Sequence, residues 1–260
     1  MVLTVSSIKG GVGKSSVVLL LANNLASRGH KVLVIDMDLN NSITFYYTMG
    51  VENAKEKCER QNIVFAMTQT DLESNIIQTK KSRIDLIPSS LGLCDIRDIE
   101  FRRLNKCISK LEGYDFILID TSPTYDNIVQ NALYAADYII SPVEFSEFNY
   151  NMAVFLLSKI QDELPEKYGN TLLLFNHWQE QCEKYPGSDQ YKYMNLFKQD
   201  YSDRILDVKL PDAKRVVRHY TDCDELLSIN SRKVNVARMA NGINELGTMF
   251  SGKDNVVARF

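Results

Sequence analysis

Short apolar runs recur along the chain, and stretches with the periodicity of amphipathic helices separate them. The runs are rich in valine, isoleucine and leucine, which is typical of buried parallel strands. They predict strands at 2–7, 31–36, 84–88, 115–120, 138–142 and 171–176. The periodic stretches predict helices at 15–28, 99–112, 126–136, 148–163 and 232–250. Strands that alternate with helices favour βαβ units built around one mostly parallel sheet.

Two segments, 40–80 and 177–205, lack a clear period. Within the second, residues 177–193 combine polar and charged side chains with a Pro-Gly pair, and we expect a surface excursion there. The chain contains no Pro/Gly/Ser-rich linker, internal repeat or low-complexity tract. The sequence therefore predicts a single domain over 1–260, of the α/β class, with a mostly parallel twisted sheet flanked by helices.

Composition places the chain among ordinary globular proteins. Its 260 residues are 45% hydrophobic and 24% charged, with 12 Gly and 6 Pro, which excludes disordered, collagen-like and low-complexity classes. The five cysteines form no CxxC pair and no histidine stands at metal-ligand spacing from them, so zinc, dithiol and iron–sulfur sites have little support. The longest apolar runs, such as 17–22, are far shorter than a membrane span of about 18 residues. We expect a cytoplasmic protein.

A glycine-rich loop follows the first predicted strand and precedes the first predicted helix. It consists of Lys9, Gly10, Gly11, Val12, Gly13, Lys14, Ser15 and Ser16. Standard phosphate loops read GxxxxGK[ST], but Ile8 occupies the first glycine position, so this loop is a variant. Successive glycines let backbone N–H groups approach phosphate oxygens, and the next helix presents its positive N-terminus to the same anion. Lys14 is then expected to reach the β- and γ-phosphates and Ser15 to ligate Mg²⁺. The alternative is a glycine turn capped by Ser15, with Lys14 merely solvated.

Two predicted strands end in aspartate. The strand at 31–36 runs into Asp36 and Asp38, whose spacing of two places both carboxylates on one face at the carboxyl edge of the sheet. Ligands of open α/β sheets bind at that edge. The strand at 115–120 ends in Asp120 after four apolar residues, a pattern typical of a strand that holds Mg²⁺ through water. For Asp36 or Asp38 the alternative is a cap on the next helix.

The stretch KGGVGKSS resembles the deviant Walker A motif, KGGxGK[ST], of the ParA/MinD family of P-loop ATPases. The resemblance implies a P-loop NTPase fold, bound ATP and Mg²⁺, and an ATP-dependent homodimer in which Lys9 reaches the phosphates of the partner's ATP. The alternative for Lys9 is a second positive charge acting in cis. The resemblance also implies that Asp38 activates the attacking water, that Asp36 supports the Mg²⁺ and the phosphate loop, and that Asp120 is the Walker B aspartate. Residues 121–123 are similar to the family's switch segment.

Two further residues follow from the same resemblance. In similar proteins an asparagine and the backbone near a proline hold the adenine, which implies Asn176 and Pro211 here, although an asparagine at a strand end is also an ordinary turn former. Hydrolysis is then expected to depend on Lys9, Lys14 and Asp38 through positioning and electrostatics. No histidine is required for this chemistry. The scattered histidines are expected at the surface or at the edge of the core: His30, His177 and His219.

The formal net charge of −3 argues against a protein that coats nucleic acid over its whole surface, but this charge is unevenly distributed. Residues 209–238 hold seven basic and four acidic side chains, so the segment carries +3 and the remainder carries −6. Such an asymmetry marks a candidate anion-binding face, with a solvated helical surface as the alternative. The residues assigned to DNA are Lys214, Arg215, Arg218, Arg232, Lys233 and Arg238.

The resemblance to ParA-type proteins implies non-specific contacts with the backbone of double-stranded DNA, a nucleoid-associated location, and a ParB-type centromere-binding partner that stimulates hydrolysis. The sequence thus predicts an ATP-hydrolysing DNA-partition protein. The alternative is a MinD-like membrane-cycling ATPase or another cargo positioner. MinD-like proteins end in a basic amphipathic helix, whereas residues 251–260 are Gly-interrupted with one acid and two bases, so no stable membrane association is expected. An electron-transfer role is a third, weaker alternative, because no cysteine follows Asp120 in a cluster-bridging motif.

Overall fold

The computed structural model describes residues 1–212 and 234–252, and these residues build an α/β fold around one sheet. The strands are β1 (Val2–Val5), β2 (Val32–Met37), β3 (Ile77–Gln78), β4 (Ile84–Ile87), β5 (Phe116–Thr121), β6 (Tyr138–Val143), β7 (Thr171–Trp178) and β8 (Ile205–Pro211). Their spatial order is β3-β4-β2-β5-β1-β6-β7-β8. Neighbouring strands pair in parallel throughout, except β3 and β4 at one edge, which are antiparallel. The six predicted strands all belong to this sheet, which confirms the predicted architecture.

Helices connect the strands and cover both faces of the sheet. The first half of the chain contains α1 (Lys14–Ser27), α2 (Ser42–Thr48), α3 (Ala54–Arg60), α4 (Ile63–Gln69) and α5 (Arg103–Ile108). The second half contains α6 (Asn127–Ala135), α7 (Glu147–Glu163), α8 (Pro165–Tyr168), α9 (Gln181–Lys184), α10 (Asp189–Asp200) and α11 (Val234–Ser251). Short 3₁₀ turns lie at Glu73–Asn75, Leu91–Ile96 and Ser202–Arg204.

Strand β2 shows why an uninterrupted apolar run predicts a central strand. Val32 and Val34 belong to a hydrophobic cluster on the α1 side of the sheet, whereas Leu33 and Ile35 belong to a second cluster on the α4 side. All four side chains are fully buried. Successive side chains of a strand point to opposite faces, so a strand without polar alternation requires cover on both sides. The helices on the two faces of the sheet provide that cover.

Helix α1 packs between the sheet and helix α11, which explains its apolar run at residues 17–22. All six residues of that run are buried. Asn24 Nδ2 donates a hydrogen bond to Asn244 Oδ1 at 2.5 Å, and Arg28 Nη1 donates one to Thr248 Oγ1 at 2.9 Å. A Cβ on Gly247 would stand 2.2 Å from Asn24 Oδ1, so only glycine permits this close approach. Helix α11 is therefore fixed to the helix that follows the glycine-rich loop.

Helix α5 is shorter than the 99–112 stretch that the periodicity predicts. The preceding residues turn before the helix begins, because Asn127 Nδ2 donates to the carbonyl oxygens of Arg97 and Ile99 at 2.8 and 2.6 Å. These two carbonyl groups are bonded to a side chain of α6 and not to a helical turn. The helical stretch is therefore limited to the residues that pack directly against α6 and α4.

Residues 177–193 lie mostly at the surface, as the sequence predicts, but much of the segment is regular secondary structure and not an irregular excursion. Strand β7 continues to Trp178, and helix α9 and the start of helix α10 occupy residues farther along. Cys182 and Tyr193 are buried in a third hydrophobic cluster with Phe175. A few apolar side chains within this mostly polar stretch therefore cover the sheet near β7.

The described ranges contain neither a membrane-spanning helix nor a cluster of metal ligands. Within 1–212 and 234–252 no helix combines the length and the apolar character that crossing a bilayer requires. The same residues contain no group of three or more His, Cys, Asp or Glu placed to hold a metal ion. Four cysteines in these ranges are free thiols: Cys58, Cys94, Cys107 and Cys182.

Candidate functional site

The glycine-rich loop connects β1 to α1 at the carboxyl edge of the sheet. Gly11 and Gly13 adopt positive φ angles of 82° and 91°, which glycine reaches without steric penalty. A Cβ on Gly10 or Gly11 would meet no atom within 4 Å, so the mouth of the loop is open. Helix α1 begins at Lys14 directly behind the loop, and the free N–H groups of its first turn can bind an anion there. The residues present therefore fit a phosphate group.

Lys14 and Lys9 lie on the two arms of this loop. Lys14 is buried, with 6% of its surface exposed, and its Nζ donates to the carbonyl oxygen of Lys9 at 3.4 Å. Burial lowers the pKa of the Lys14 ammonium, while the nearby Asp120 and Asp38 carboxylates oppose that shift. An incoming phosphate would stabilise the charged form of this lysine. The Lys9 Nζ instead rests 5.1 Å from the centroid of the Phe148 ring at the start of α7.

Ser15 and Asp120 meet beneath the loop. The Ser15 hydroxyl donates to Asp120 Oδ2 at 2.6 Å, and the second carboxylate oxygen, Oδ1, is buried with no hydrogen-bond partner among the described residues. Burial, together with the nearby Asp36 carboxylate, raises the pKa of Asp120 well above its usual range. A hydroxyl and a carboxylate with a free oxygen are hard ligands of the kind that Mg²⁺ takes beside phosphate groups. These two residues fit a magnesium ion.

Asp36 lies in the interior and supports the next helix. Its Oδ2 accepts hydrogen bonds from the Thr44 N–H at 2.8 Å and the Thr44 hydroxyl at 2.7 Å, and its Oδ1 accepts one from the Asp38 N–H at 3.0 Å. The alternative in which one carboxylate holds the following helix therefore describes Asp36, because Thr44 lies in the first turn of α2. Its supporting role toward Mg²⁺ stays a prediction.

Asp38 lies beside Asp36 but is bound by different partners. Asn40 donates to its Oδ1 from both the backbone N–H and the side-chain amide, each at 3.1 Å, and Ser122 Oγ donates to the same oxygen at 3.2 Å. The side chain is buried at 6% exposure. These bonds fix the direction of the carboxylate at the sheet edge where Lys14 and Asp120 converge. Its role in activating water stays a prediction.

Asp36 gives this site a pH-dependent stability in the nucleotide-free state. Burial raises its pKa from an ordinary value of 3.8 to about 6, against the hydrogen bonds from Thr44. Between these values the folded protein binds more protons than the unfolded chain, so the contribution of Asp36 to stability falls as the pH rises through this window. We expect urea denaturation to show that the free energy of unfolding of the wild type falls by about 2 kcal/mol between pH 4 and pH 6.5, relative to that of Asp36→Asn. A constant difference between the two proteins would contradict the assignment.

Asn176 and Pro211, the residues assigned to adenine, lie at the ends of the adjacent strands β7 and β8. Asn176 is buried, and its Nδ2 donates to the carbonyl oxygen of Val12 in the loop at 2.7 Å. Pro211 lines a pocket of ≈ 410 Å³ together with Trp178 and Tyr185. Both residues thus lie at the same sheet edge as the phosphate loop. Their contact with adenine stays a prediction.

His177 is a site residue that the sequence did not indicate. The expectation of a surface or core-edge histidine is incomplete, because the ring lies between Glu144 and the loop residue Gly13. Ser122 and Asn40 were likewise not identified as partners of Asp38. Only the Asn40 contact had a local signal, since a side chain two residues from an Asp readily forms a turn with it.

The predicted DNA-binding residues are only partly described. Arg238 lies on α11, where its Nη2 pairs with Glu180 Oε1 at 2.5 Å. Glu180 also pairs with Lys184, and these two cations lower the pKa of its carboxyl to about 2. The remaining five lie outside the described residues: Lys214, Arg215, Arg218, Arg232 and Lys233.

The chain is similar in sequence and in fold to several known proteins. Residues 1–172 match the AAA_31 family, an AAA domain. The virulence plasmid ParA family protein pGP5-D of Chlamydia psittaci is 27% identical over 78% of this chain and 78% of its own length. The maintenance of carboxysome distribution protein A of Synechococcus elongatus is 28% identical over 61% of this chain and 64% of its own length. A putative plasmid partition protein from Borrelia burgdorferi B31 bound to AMPPNP has a TM-score of 0.77 and 26% identity, with 94% and 97% of the two chains covered.

These similarities agree with the geometry of the site. The AAA domain match covers the strands and helices that carry the glycine loop, Asp36, Asp38 and Asp120. Partition proteins and a carboxysome-distribution protein both occur among the similar proteins. The sheet order, the loop before α1 and the residues gathered around it are those of a P-loop nucleotide-binding fold. The chain belongs to the AAA domain family AAA_31, with ParA-type partition proteins among its relatives.

Proposed function

We propose that this protein is a Mg²⁺-dependent ATPase that hydrolyses ATP to ADP and phosphate. The observation that carries the proposal is the convergence of Lys14, Ser15 and Asp120 beneath an open glycine loop, with an unpartnered Asp120 oxygen among the described residues. The similarity to a Borrelia burgdorferi protein bound to AMPPNP supports the same ligand class. The second carboxylate, on Asp38, is held at this edge by Asn40 and Ser122.

In ATP hydrolysis the residues of the site have three roles: they bind the triphosphate, neutralise its charge and activate water. The glycine loop and the N-terminus of α1 hold the triphosphate, and Lys14 lies against the β- and γ-phosphates. Mg²⁺ would supply positive charge to the phosphate oxygens, and the Ser15 hydroxyl and the Asp120 carboxylate would hold the ion. Asp38 orients the attacking water. The partner subunit's Lys9 neutralises charge that develops during transfer, so the complete site needs two subunits.

The proposed biological role is DNA partition. The ATP-bound dimer binds the phosphates of double-stranded DNA without reading bases, through six basic side chains: Lys214, Arg215, Arg218, Arg232, Lys233 and Arg238. This binding places the ATP-bound protein on the nucleoid, and a ParB-type protein then stimulates hydrolysis, which releases the DNA. The excess of +3 over residues 209–238 in an acidic chain supports this role.

A second candidate role is the positioning of another cargo. The similarity to a carboxysome-distribution protein favours it, because the identity of 28% is close to the 27% found for the plasmid protein. An ATPase that carries a protein cargo on the nucleoid uses the same nucleotide site and the same non-specific contact with DNA. A MinD-like role differs in that the ATP-bound form binds a membrane surface.

The test compares DNA with membranes. With Mg²⁺ and ATP, the wild-type protein should bind arbitrary duplex DNA with an affinity that falls steeply with salt, and should not sediment with anionic liposomes. Replacing Arg215 or Arg218 with alanine should weaken binding to all sequences and reduce the salt slope by about one if that side chain contacts a phosphate.

Two further variants sharpen this comparison. Lys9→Ala should remove ATP-dependent binding to DNA, because the dimer cannot form without the lysine contributed by the partner. Arg60→Ala, on the exposed outer surface of α3, is the matched control and should change nothing. An ATP-loaded protein that ignores DNA and sediments with anionic liposomes would overturn the partition proposal in favour of the MinD-like role.

A further inference from the structure

We propose that His177, held by Glu144, is a positioning residue that fixes the phosphate loop in its nucleotide-binding conformation. This inference rests on the proposed function of the loop, but it adds residues that neither the motif nor the strand pattern indicates. His177 lies directly after Asn176 near the end of β7, and Glu144 follows β6. The two strands are neighbours in the sheet, so their ends lie side by side at the edge that carries the loop.

The ring of His177 bonds an acid on one side and lies beside the loop on the other. Its Nδ1 hydrogen-bonds to Glu144 Oε1. Its Nε2 lies 3.7 Å from the position that a Cβ would take on Gly13. An ionised carboxylate only accepts hydrogen bonds, so Nδ1 carries a proton and the ring orientation is set. The opposite side of the imidazole therefore faces the last glycine before Lys14.

The backbone of His177 brings two consecutive side chains to the same loop. In a regular strand neighbouring side chains point to opposite faces, yet Asn176 bonds the carbonyl oxygen of Val12 while His177 faces Gly13. His177 has a φ of 53°, and the register between β7 and β8 shifts between Phe175 and Trp178. This left-handed residue within an irregular strand turns both side chains toward the loop. Strain of this kind in a residue other than glycine concentrates at functional sites.

The segment that carries Glu144 also contacts the other arm of the loop. Phe148 lies four residues beyond Glu144, and its ring holds the Lys9 ammonium at 5.1 Å. Asn149, next to it, points its Nδ2 toward Glu144 Oε2 at 3.5 Å and donates to Ser146 Oγ at 2.7 Å. Residues 144–149 thus contact the loop at Lys9 through Phe148 and at Gly13 through the Glu144–His177 pair. The pair connects the loop to the first turn of α7.

The experiment removes the ring while it preserves the unusual backbone. Glycine adopts a φ near 53° without strain, so His177→Gly deletes the imidazole and leaves the strand end free to keep its path. We expect dissociation constants for a fluorescent ATP analogue with Mg²⁺ to rise about tenfold, because a loop that is no longer fixed must be ordered when the nucleotide binds. The Tm in the absence of nucleotide should stay equal or rise. Glu144→Gln should weaken binding to a similar extent, and the double variant should be no weaker than either single one.

His30→Ala is the matched control, since His30 also faces a carboxylate, that of Asp115 at 3.8 Å, but at the opposite edge of the sheet. Its affinity for the ATP analogue should equal that of wild type. Unchanged affinity in His177→Gly, with normal binding by wild type, overturns the inference and leaves the proposed function intact. The inference is also overturned if the Tm of His177→Gly falls together with its affinity, because the ring would then act only through stability. It is likewise overturned if the losses of affinity in the double variant are strictly additive. A wild-type protein that binds no ATP analogue refutes the proposed function itself, and the inference with it.

Discussion

Replacing Gly13 with alanine should severely weaken the binding of ATP. An added Cβ would stand 2.4 Å from the Asn176 Nδ2 atom, and the residue has a φ of 91° that alanine adopts only with strain. Asn176 cannot easily withdraw, because it is buried and bonded to Val12. We expect titration calorimetry with Mg²⁺ and ATP to show an affinity reduced by about 100-fold or more, which corresponds to about 3 kcal/mol.

Gly113→Ala separates backbone strain from this local effect. Gly113 has a φ of 87°, close to that of Gly13, but a Cβ there would meet no atom within 4 Å. The control variant should therefore lose about 1 kcal/mol of stability and keep the affinity of wild type for ATP. If Gly13→Ala binds ATP within tenfold of wild type, then the loop is not the phosphate site.

Replacing Asp38 with alanine should produce a protein that binds ATP but hardly hydrolyses it. The carboxylate is fixed by Asn40 and Ser122 at the edge where Lys14 and Asp120 converge, and it acts electrostatically on Lys14. The substitution removes a negative charge that would repel the bound triphosphate, so the affinity for ATP should be retained or increased. We expect phosphate release in a single turnover to slow by about 100-fold or more, a loss within the range of general-base catalysis.

Asp126→Ala is the control for that experiment. Asp126 caps helix α6 by accepting a hydrogen bond from the Val129 N–H at 3.1 Å, and it is not one of the carboxylates that shift the pKa of Lys14. Its removal should lower stability by about 1 kcal/mol and leave turnover unchanged. Turnover in Asp38→Ala that equals that of the control would remove Asp38 from the mechanism.

The central sheet was predictable because its strands are buried on both faces. Runs such as residues 32–35 need no polar alternation, and this makes them easy to recognise in the sequence. Strand β8 was not identified, since Asp207 and Lys209 interrupt its apolar side chains. Asp207 is exposed and Lys209 is half-buried, as suits a strand at the edge of the sheet. Strand β3 contains only Ile77 and Gln78, too few residues to form a pattern.

The candidate site was predictable where one short motif carries it. The loop and Asp120 follow from local sequence, because glycine spacing and a strand ending in aspartate are properties of neighbouring residues. Ser122 stands 84 positions from its partner Asp38, and Glu144 stands 33 positions from His177. Only the arrangement of the strands brings these pairs together. The backbone of His177 has no sequence signal either, since residues with positive φ are usually glycine or asparagine.

The packing of α11 on α1 joins an element near the start of the sequence to one near its end. Helix α1 has 14 residues and is therefore about 21 Å long. Its first turn holds Lys14 and Ser15, whereas its far end is fixed to α11 by Asn24 and Arg28. A packed pair of helices moves as a rigid unit more readily than it bends. A displacement of the loop end of α1 is thus transmitted along that helix to α11, the helix that carries Arg238.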